Sequence, residues 1–191
     1  MVGLKLLPIN SWQIQYELTR IFYELATEVA YLNGHFSKQA TLSEIVLGQA
    51  HSLLDKIKIY EIQCQAYMAQ NMQLEAVKMV LPILKQLGVE LPNKHNPDDF
   101  QLELQKTQLA LEGKTIESLG NLPLMTDAKI LAAMRILSSI ASAIFQAMPF
   151  LFPLSIFKEV QLSIKYGNAP ESVHSYPLYG FILYIIVDVE S

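Results

Sequence analysis

One cysteine, Cys64, is all the thiol chemistry in this chain of 191 residues, which excludes an internal disulfide and a cysteine cage for a metal. Charge is sparse too. Only 17% of residues are charged, and the 14 Lys and Arg are scattered among 18 Asp and Glu for a net charge of −4. Without clustered cations a run of phosphates has nothing to neutralise it, so nucleic-acid binding is not expected. Eight glycines and nine prolines are few, while 51% of the residues are hydrophobic, which argues against disorder. The start, Met1 to Asn10, has one lysine and a short apolar patch broken by Pro8, a poor match to a secretory leader. A reducing, cytoplasmic setting is the expectation.

Catalytic signatures are also missing. His35, His51, His95 and His174 lie far apart, with no acidic or cysteine partner at metal-ligand spacing. No Gly-x-Ser-x-Gly turn or kinase His-Arg-Asp or Asp-Phe-Gly triplet occurs. Gly113-Lys114-Thr115 looks like the tail of a phosphate loop, which needs a glycine five positions earlier. That position is Gln108, and the pattern before it is helical. The triplet therefore reads as a helix stop followed by the next helix, and Asp98-Asp99 as negative charge at a helix N-terminus. The expectation is a chain without catalytic residues, cofactor or metal, and hence not an enzyme.

What the chain does have is a helical hairpin read twice. Tyr31-Leu32-Asn33-Gly34-His35-Phe36 is followed by Ala40 and an apolar run to Leu47, and Tyr67-Met68-Ala69-Gln70-Asn71-Met72 by Ala76 and a run to Leu84. The spacing is 36 residues counted from the tyrosines and 37 from Gly34 to Asn71. Periods of this length mark helix–turn–helix repeats, whose units bury their apolar faces only against neighbours. Tyr31, Gly34, Phe36, Ala40, Tyr67, Asn71, Ala76 and Gly88 are assigned structural roles in the repeat. Because Ala40 lies six residues after Gly34 and Ala76 five after Asn71, the first turn is expected to carry an extra residue. Tyr16, Tyr23, Tyr31, Tyr60 and Tyr67 form a stripe that lines a ligand groove or, as is commoner at helical spacing, packs between helices.

Apolar periodicity, caps and stops predict helices over 12–32, 37–52, 56–70 and 73–87, the last kinked or split at Pro82. Further helices are predicted from Asp98 or Asp99 to 112, from Asp127 (capped by Thr126) to 148, and over 154–166. Pro177 is expected to break any helix begun at Glu171, and 181–189 is ambiguous between helix and strand. The 22 residues from Ile136 to Phe157 carry no formal charge, a length that spans a bilayer. Their serines, and Pro149 and Pro153, predict instead two buried helices meeting at a Pro-Phe-Leu-Phe-Pro corner. The expected fold is all-α, with antiparallel helical hairpins stacked as a fragment of a solenoid like that of tetratricopeptide repeats (TPR-like). Residues 1–92 would form two degenerate hairpins, 93–170 further helices of the array, and 171–191 an atypical, truncated end.

Several runs resemble one region of the large cyanobacterial multi-sensor signal-transduction kinases. They are Tyr31–Phe36, Leu53-Leu54-Asp55-Lys56, Lys85–Pro92, Leu122–Asp127, Leu131–Leu137 and Ile164–Pro170. In that family a serine/threonine kinase domain and an AAA-type ATPase precede a TPR-like helical region, and GAF and histidine-kinase modules follow it. The resemblance covers nearly the whole chain but only the helical middle of the parent, and none of the family's catalytic motifs falls within it. Beyond Pro170 the pattern departs, with Glu171, His174 and Pro177 in place of small and apolar residues, as a fragment or gene remnant would. The resemblance implies a non-catalytic scaffold that couples the ATPase to sensory and kinase modules through protein partners. The alternatives are a free-standing module holding a peptide or helix, and a membrane-associated segment using 136–157.

Overall fold

A computed structural model describes residues 2–92 and 94–190, with side chains described over 3–92 and 94–185. Asn93, at the start of the expected 93–170 segment, and Ser191, in the expected terminal segment, lie outside the described residues. Among these residues the regular elements are eleven α-helices, and the one extended pairing is an isolated parallel bridge between Leu124 and Asn168. The chain forms two compact units, Met1–Met72 and Gln73–Ser191.

The first unit contains α1 (Val2–Leu6), α2 (Ser11–Ile14), α3 (Tyr16–Leu32), α4 (Phe36–Gln49) and α5 (Leu53–Ala69). The single helix predicted over 12–32 is broken at Gln15 (φ −143°, ψ 50°). The break lets the Trp12 ring reach Tyr23 at 5.1 Å as well as Tyr16 at 5.9 Å. In an unbroken helix, residues eleven apart are separated by about 16 Å along the axis, so packing of the indole overrides local helix continuity. Ala26 and Ala30 of α3 let Leu42 of α4 approach closely, and Val46, Ile59 and Ile62 form a second buried patch under Trp12, Tyr23 and Tyr31.

The start of α5 lies three residues before its predicted place because Ser52 and Asp55 form a capping box. Such a box satisfies two backbone donors that a helix start otherwise leaves bare. Tyr16 Oη donates to Asp55 (2.9 Å) and accepts from the His51 N–H (3.0 Å), while its ring stacks on His51 at 3.7 Å. Burial pushes the Asp55 carboxyl up, but the hydrogen bonds from Tyr16 and Ser52 outweigh it and hold the pKa below the ordinary value.

The second unit contains α6 (Gln73–Gln86), α7 (Pro97–Leu111), α8 (Ile116–Gly120), α9 (Ala128–Ala147), α10 (Leu151–Tyr166) and α11 (Ser172–Glu190). α10 packs against α7, α9 and α11, and α6 packs on α9. Phe157 of α10 is wholly buried, with Phe100 of α7 at 5.5 Å and Tyr179 of α11 at 5.8 Å. The apolar run 136–157 is divided at Met148–Phe150 between α9 and α10, within the predicted corner, but Leu151, Phe152 and Pro153 are already helical, so α10 starts three residues before its predicted place. By length and composition α9 is apolar enough to cross a membrane, and half of its apolar window is buried.

Neither proline splits its helix: α6 continues through Pro82, against the expected split, and α11 continues through Pro177, against the expected break, so 181–189 is helical. A proline removes one N–H and orphans the carbonyl four residues back. Behind Pro177 that residue is Val173, in the first turn of α11 and 70% exposed. Tyr179 and Ile182 are buried, and this packing decides the state of a segment whose propensity is equivocal.

Other starts shift by a residue or two. Asn96 caps α7 with Pro97 in its first turn, and Asp127, rather than Thr126, caps α9 through Lys129 N (2.9 Å) and Ile130 N (3.1 Å). Gly113 (φ +72°) follows the end of α7 and Thr115 caps α8, so Gly113-Lys114-Thr115 is a stop and a cap.

Candidate functional site

α6, the segment after it, α7 and α10 enclose an open cleft of about 900 Å³ within the second unit. Gly88 (φ +90°) follows the end of α6, and the chain then leaves the helix, with Leu87, Val89 and Leu91 buried and Glu90 exposed. Glu90, Leu91 and Pro92 of this segment all line the cleft, while buried Leu87 and Val89 anchor it to the interior. Leu81, Pro82, Leu91, Met148 and Leu154 supply an apolar floor, and Lys78, Lys85, Glu90, Asp99, Glu103 and Lys158 the charge.

These charges are mostly paired within the wall. Lys85 Nζ lies 2.6 Å from Glu90, and Glu103 takes Lys106 at 2.7 Å, Gln161 Nε2 at 3.0 Å and Lys158 at 3.5 Å. Burial pushes the Glu103 carboxyl up, yet these donors and cations together keep its pKa below the ordinary value. Pro82 cannot donate to the Lys78 carbonyl four residues back, and both residues line the cleft.

Beneath the contact of α10 and α11 lies a polar nest. Ser155, Glu159 and Ser163 recur every fourth residue on one buried face of α10. Glu159 is 2% exposed; Ser175 Oγ donates to its Oε2, and Oε1 has no partner. Ser163 Oγ meets Ser172 Oγ at 2.7 Å and donates to the Glu159 carbonyl at 2.9 Å, and the Ala169 N–H caps Ser172 Oγ at 3.0 Å. Burial above all, reinforced by the nearby Glu171 charge, pushes the Glu159 pKa up to about 7 against the pull of the Ser175 hydroxyl. The spacing of Ser155, Glu159 and Ser163 on an apolar face was a legible signal of this nest.

The turn into α11 is clasped from the other side. Asn168 exchanges backbone hydrogen bonds with Pro123 O (2.8 Å) and Met125 N (2.9 Å). Its side chain donates to Leu119 O (2.7 Å) and accepts from Tyr176 Oη (2.9 Å). Gly167 makes this approach possible: φ is +98° and ψ 172°, and a Cβ there would sit 2.3 Å from the Pro123 carbonyl oxygen. Such backbone is essentially restricted to glycine. Leu122–Asp127 and Ile164–Pro170, two of the runs carrying the family resemblance, thus meet in one clasp.

The repeat residues fall as follows. Gly34 (φ +70°), Asn71 (φ +58°) and Gly88 each sit at a left-handed stop. In all three the following N–H reaches five residues back: His35 to Ala30 O at 2.9 Å, Met72 to Tyr67 O at 2.9 Å and Val89 to Leu84 O at 2.8 Å. This is the Schellman ending. The turns after Gly34 and Asn71 are equal in length, since α4 and α6 each start two residues on, so no extra residue is present. In the 37-residue register Tyr31 stands opposite Met68 rather than Tyr67. The buried counterpart of Ala76 is Gln39, bonded to Ser43 at 2.9 Å, while Ala40 is exposed. Phe36, Tyr31 and Tyr67 are half-buried. Of the tyrosine stripe, Tyr16, Tyr23 and Tyr31 pack within the first unit.

The histidines do not converge. His51 stacks on Tyr16, His95 lies edge-on to Phe150 at 5.4 Å, and His35 and His174 are exposed. Among the described residues no three His, Cys, Asp or Glu are placed to hold a metal. Comparison with protein-family models, with curated proteins and with solved structures finds no match to this chain.

Proposed function

We propose that this chain is a non-catalytic, TPR-like helical scaffold of signal transduction, of the kind that joins ATPase and sensory modules in the multi-sensor kinases its sequence resembles. Its cleft then holds an extended segment of a protein partner or of another module of such a kinase, in the cytoplasm. The observation that carries the reading is a structural recurrence: all four boundaries of α3 and α4 return 37 residues on, as Leu53, Ala69, Gln73 and Gln86 of α5 and α6. A recurrence of helix–turn–helix length is the sequence-level mark of arrays that present surfaces to other polypeptides, and the cleft adds an apolar floor with charged walls.

The test uses the whole chain and a Lys78→Glu/Lys158→Glu double variant whose helical circular dichroism is checked first. Capture from cells of the source is expected to recover polypeptides carrying kinase or ATPase motifs on the wild type and to lose them on the variant. Calorimetric titration with Mg·ATP is expected to give no binding heat. Hydrolysis of ATP above the buffer rate, or recovery of the same polypeptides on both proteins, overturns the proposal.

A further inference from the structure

α3 carries an apolar ridge on the side turned away from its buried alanines. Leu18, Ile21, Leu25, Val29 and Leu32 are each between 45% and 71% exposed. At 100° per residue they share an arc about 80° wide, and at 1.5 Å per residue a length of about 21 Å. Single exposed leucines are ordinary on a protein surface; five in one stripe mark a surface that associates.

The ridge reads the same from both ends. Its steps are three, four, four and three residues, and its side chains are Leu, Ile, Leu, Val and Leu. A second copy laid antiparallel about Leu25 sets Leu18 against the partner's Leu32, Ile21 against the partner's Val29, and Leu25 against the partner's Leu25. γ-Branched chains thus meet γ-branched ones, and β-branched chains meet each other. A two-fold contact requires this self-complementarity, whereas a foreign helix imposes no such palindrome. Charge points the same way. Along one rim Arg20 already holds Glu17 (2.8 Å) and Glu24, and Lys58 holds Glu28 (2.9 Å), so no rim charge calls for a counter-charge on a different partner. On the other rim a recess of about 160 Å³ beside Leu4, Phe22, Leu25 and Val29 has room for an aliphatic side chain.

We propose that this ridge is a homodimer contact, occupied by α3 of a second copy of the chain running antiparallel. A single helix pair of this length covers roughly half of the ~800 Å² per partner of a standard interface, which makes this a weak, concentration-dependent dimer. In each copy this charged rim carries Glu17, Glu24 and Glu28 against Arg20 and Lys58, and the two-fold brings the two charged rims together, so added salt is expected to tighten the dimer by screening.

Sedimentation velocity of the full chain from about 5 µM to 1 mM is expected to show the mass rising from 21.6 kDa towards twice that value. Leu25→Glu, which sets two carboxylates on the axis, is expected to raise the midpoint at least tenfold with helicity unchanged. Cysteine variants read the register independently. Leu25→Cys is expected to cross-link to itself under mild oxidation, and Leu18→Cys to cross-link to Leu32→Cys but not to itself. Cys64 gives no background, because it is buried with its thiol pushed up to about 12. A chain that stays monomeric to 1 mM, a dimer indifferent to Leu25→Glu, or self-cross-linking of Leu18→Cys overturns the proposal. The ridge shares no residue with the cleft, so loss of the dimer and loss of partner capture are separately readable.

Discussion

Replacing Glu159 with glutamine should abolish a pH dependence that the wild-type chain shows between pH 5 and 8. In the folded state burial holds the Glu159 carboxyl at a pKa of about 7, against 4.5 ordinarily. Between those values the folded protein binds a proton that the unfolded chain has already lost. Stability then falls as pH rises through the window and levels off above about pH 7.5. At 1.36 kcal/mol per pH unit, the full window amounts to about 3 kcal/mol. Carboxyls held low, such as Asp55 and Glu103, act with the opposite sign and only below about pH 5, so they leave the window clear. Burial also raises Glu24, which acts with the same sign as Glu159 but is common to both proteins and cancels in the comparison. Glutamine mimics the protonated acid in shape and neutrality. Urea unfolding followed by circular dichroism at pH 5, 6, 7 and 8 is the assay. The variant is expected to lie within about 1 kcal/mol of wild type at pH 5 and to exceed it by about 2–3 kcal/mol at pH 8. A wild-type curve that is flat or rises across this range, or a variant less stable than wild type at pH 8, refutes the assignment of Glu159 as a buried acid.

Gly167→Ala is expected to cost about 3 kcal/mol or more by the same denaturation, since it combines a glycine-only backbone with a Cβ driven into the Pro123 carbonyl. Gly34→Ala should cost about 1–2 kcal/mol at its left-handed stop, while Asn71→Gly, at φ +58°, should stabilise by a few tenths to about 1 kcal/mol. Asp55→Ala removes both the α5 capping box and the acceptor of Tyr16 and is expected to cost about 1–2 kcal/mol. Paired with Tyr16→Phe it should be less than additive in a double-mutant cycle, because the two share one hydrogen bond.

Much of the helical skeleton was legible because its signals are local. Gly34, Asn71 and Gly88 tolerate left-handed backbone and so mark helix ends whatever surrounds them, and the apolar steps of α3, α9 and α10 repeat over several turns. The misread points share a cause, which is that their decisive partners are distant in sequence. Trp12 breaks its helix to reach Tyr23, and burial of Tyr179 and Ile182 keeps α11 helical past Pro177. The repeat was placed one residue off when counted from the tyrosines, because hydrogen bonding at the turn, rather than aromatic identity, sets the register.

The cleft was hidden for the same reason: Lys78, Glu103 and Lys158 carry no mutual spacing, and only the folding of α6, α7 and α10 gathers them. What the sequence by itself determined was the all-helical class, the places where helices stop and the 37-residue step between two stops, since each depends on a few adjacent residues. Which faces those helices bury was left to tertiary structure. Long-range packing, settled by shape and desolvation across the chain, put Glu159 in the interior, left the α3 ridge in water and locked Gly167 against Pro123.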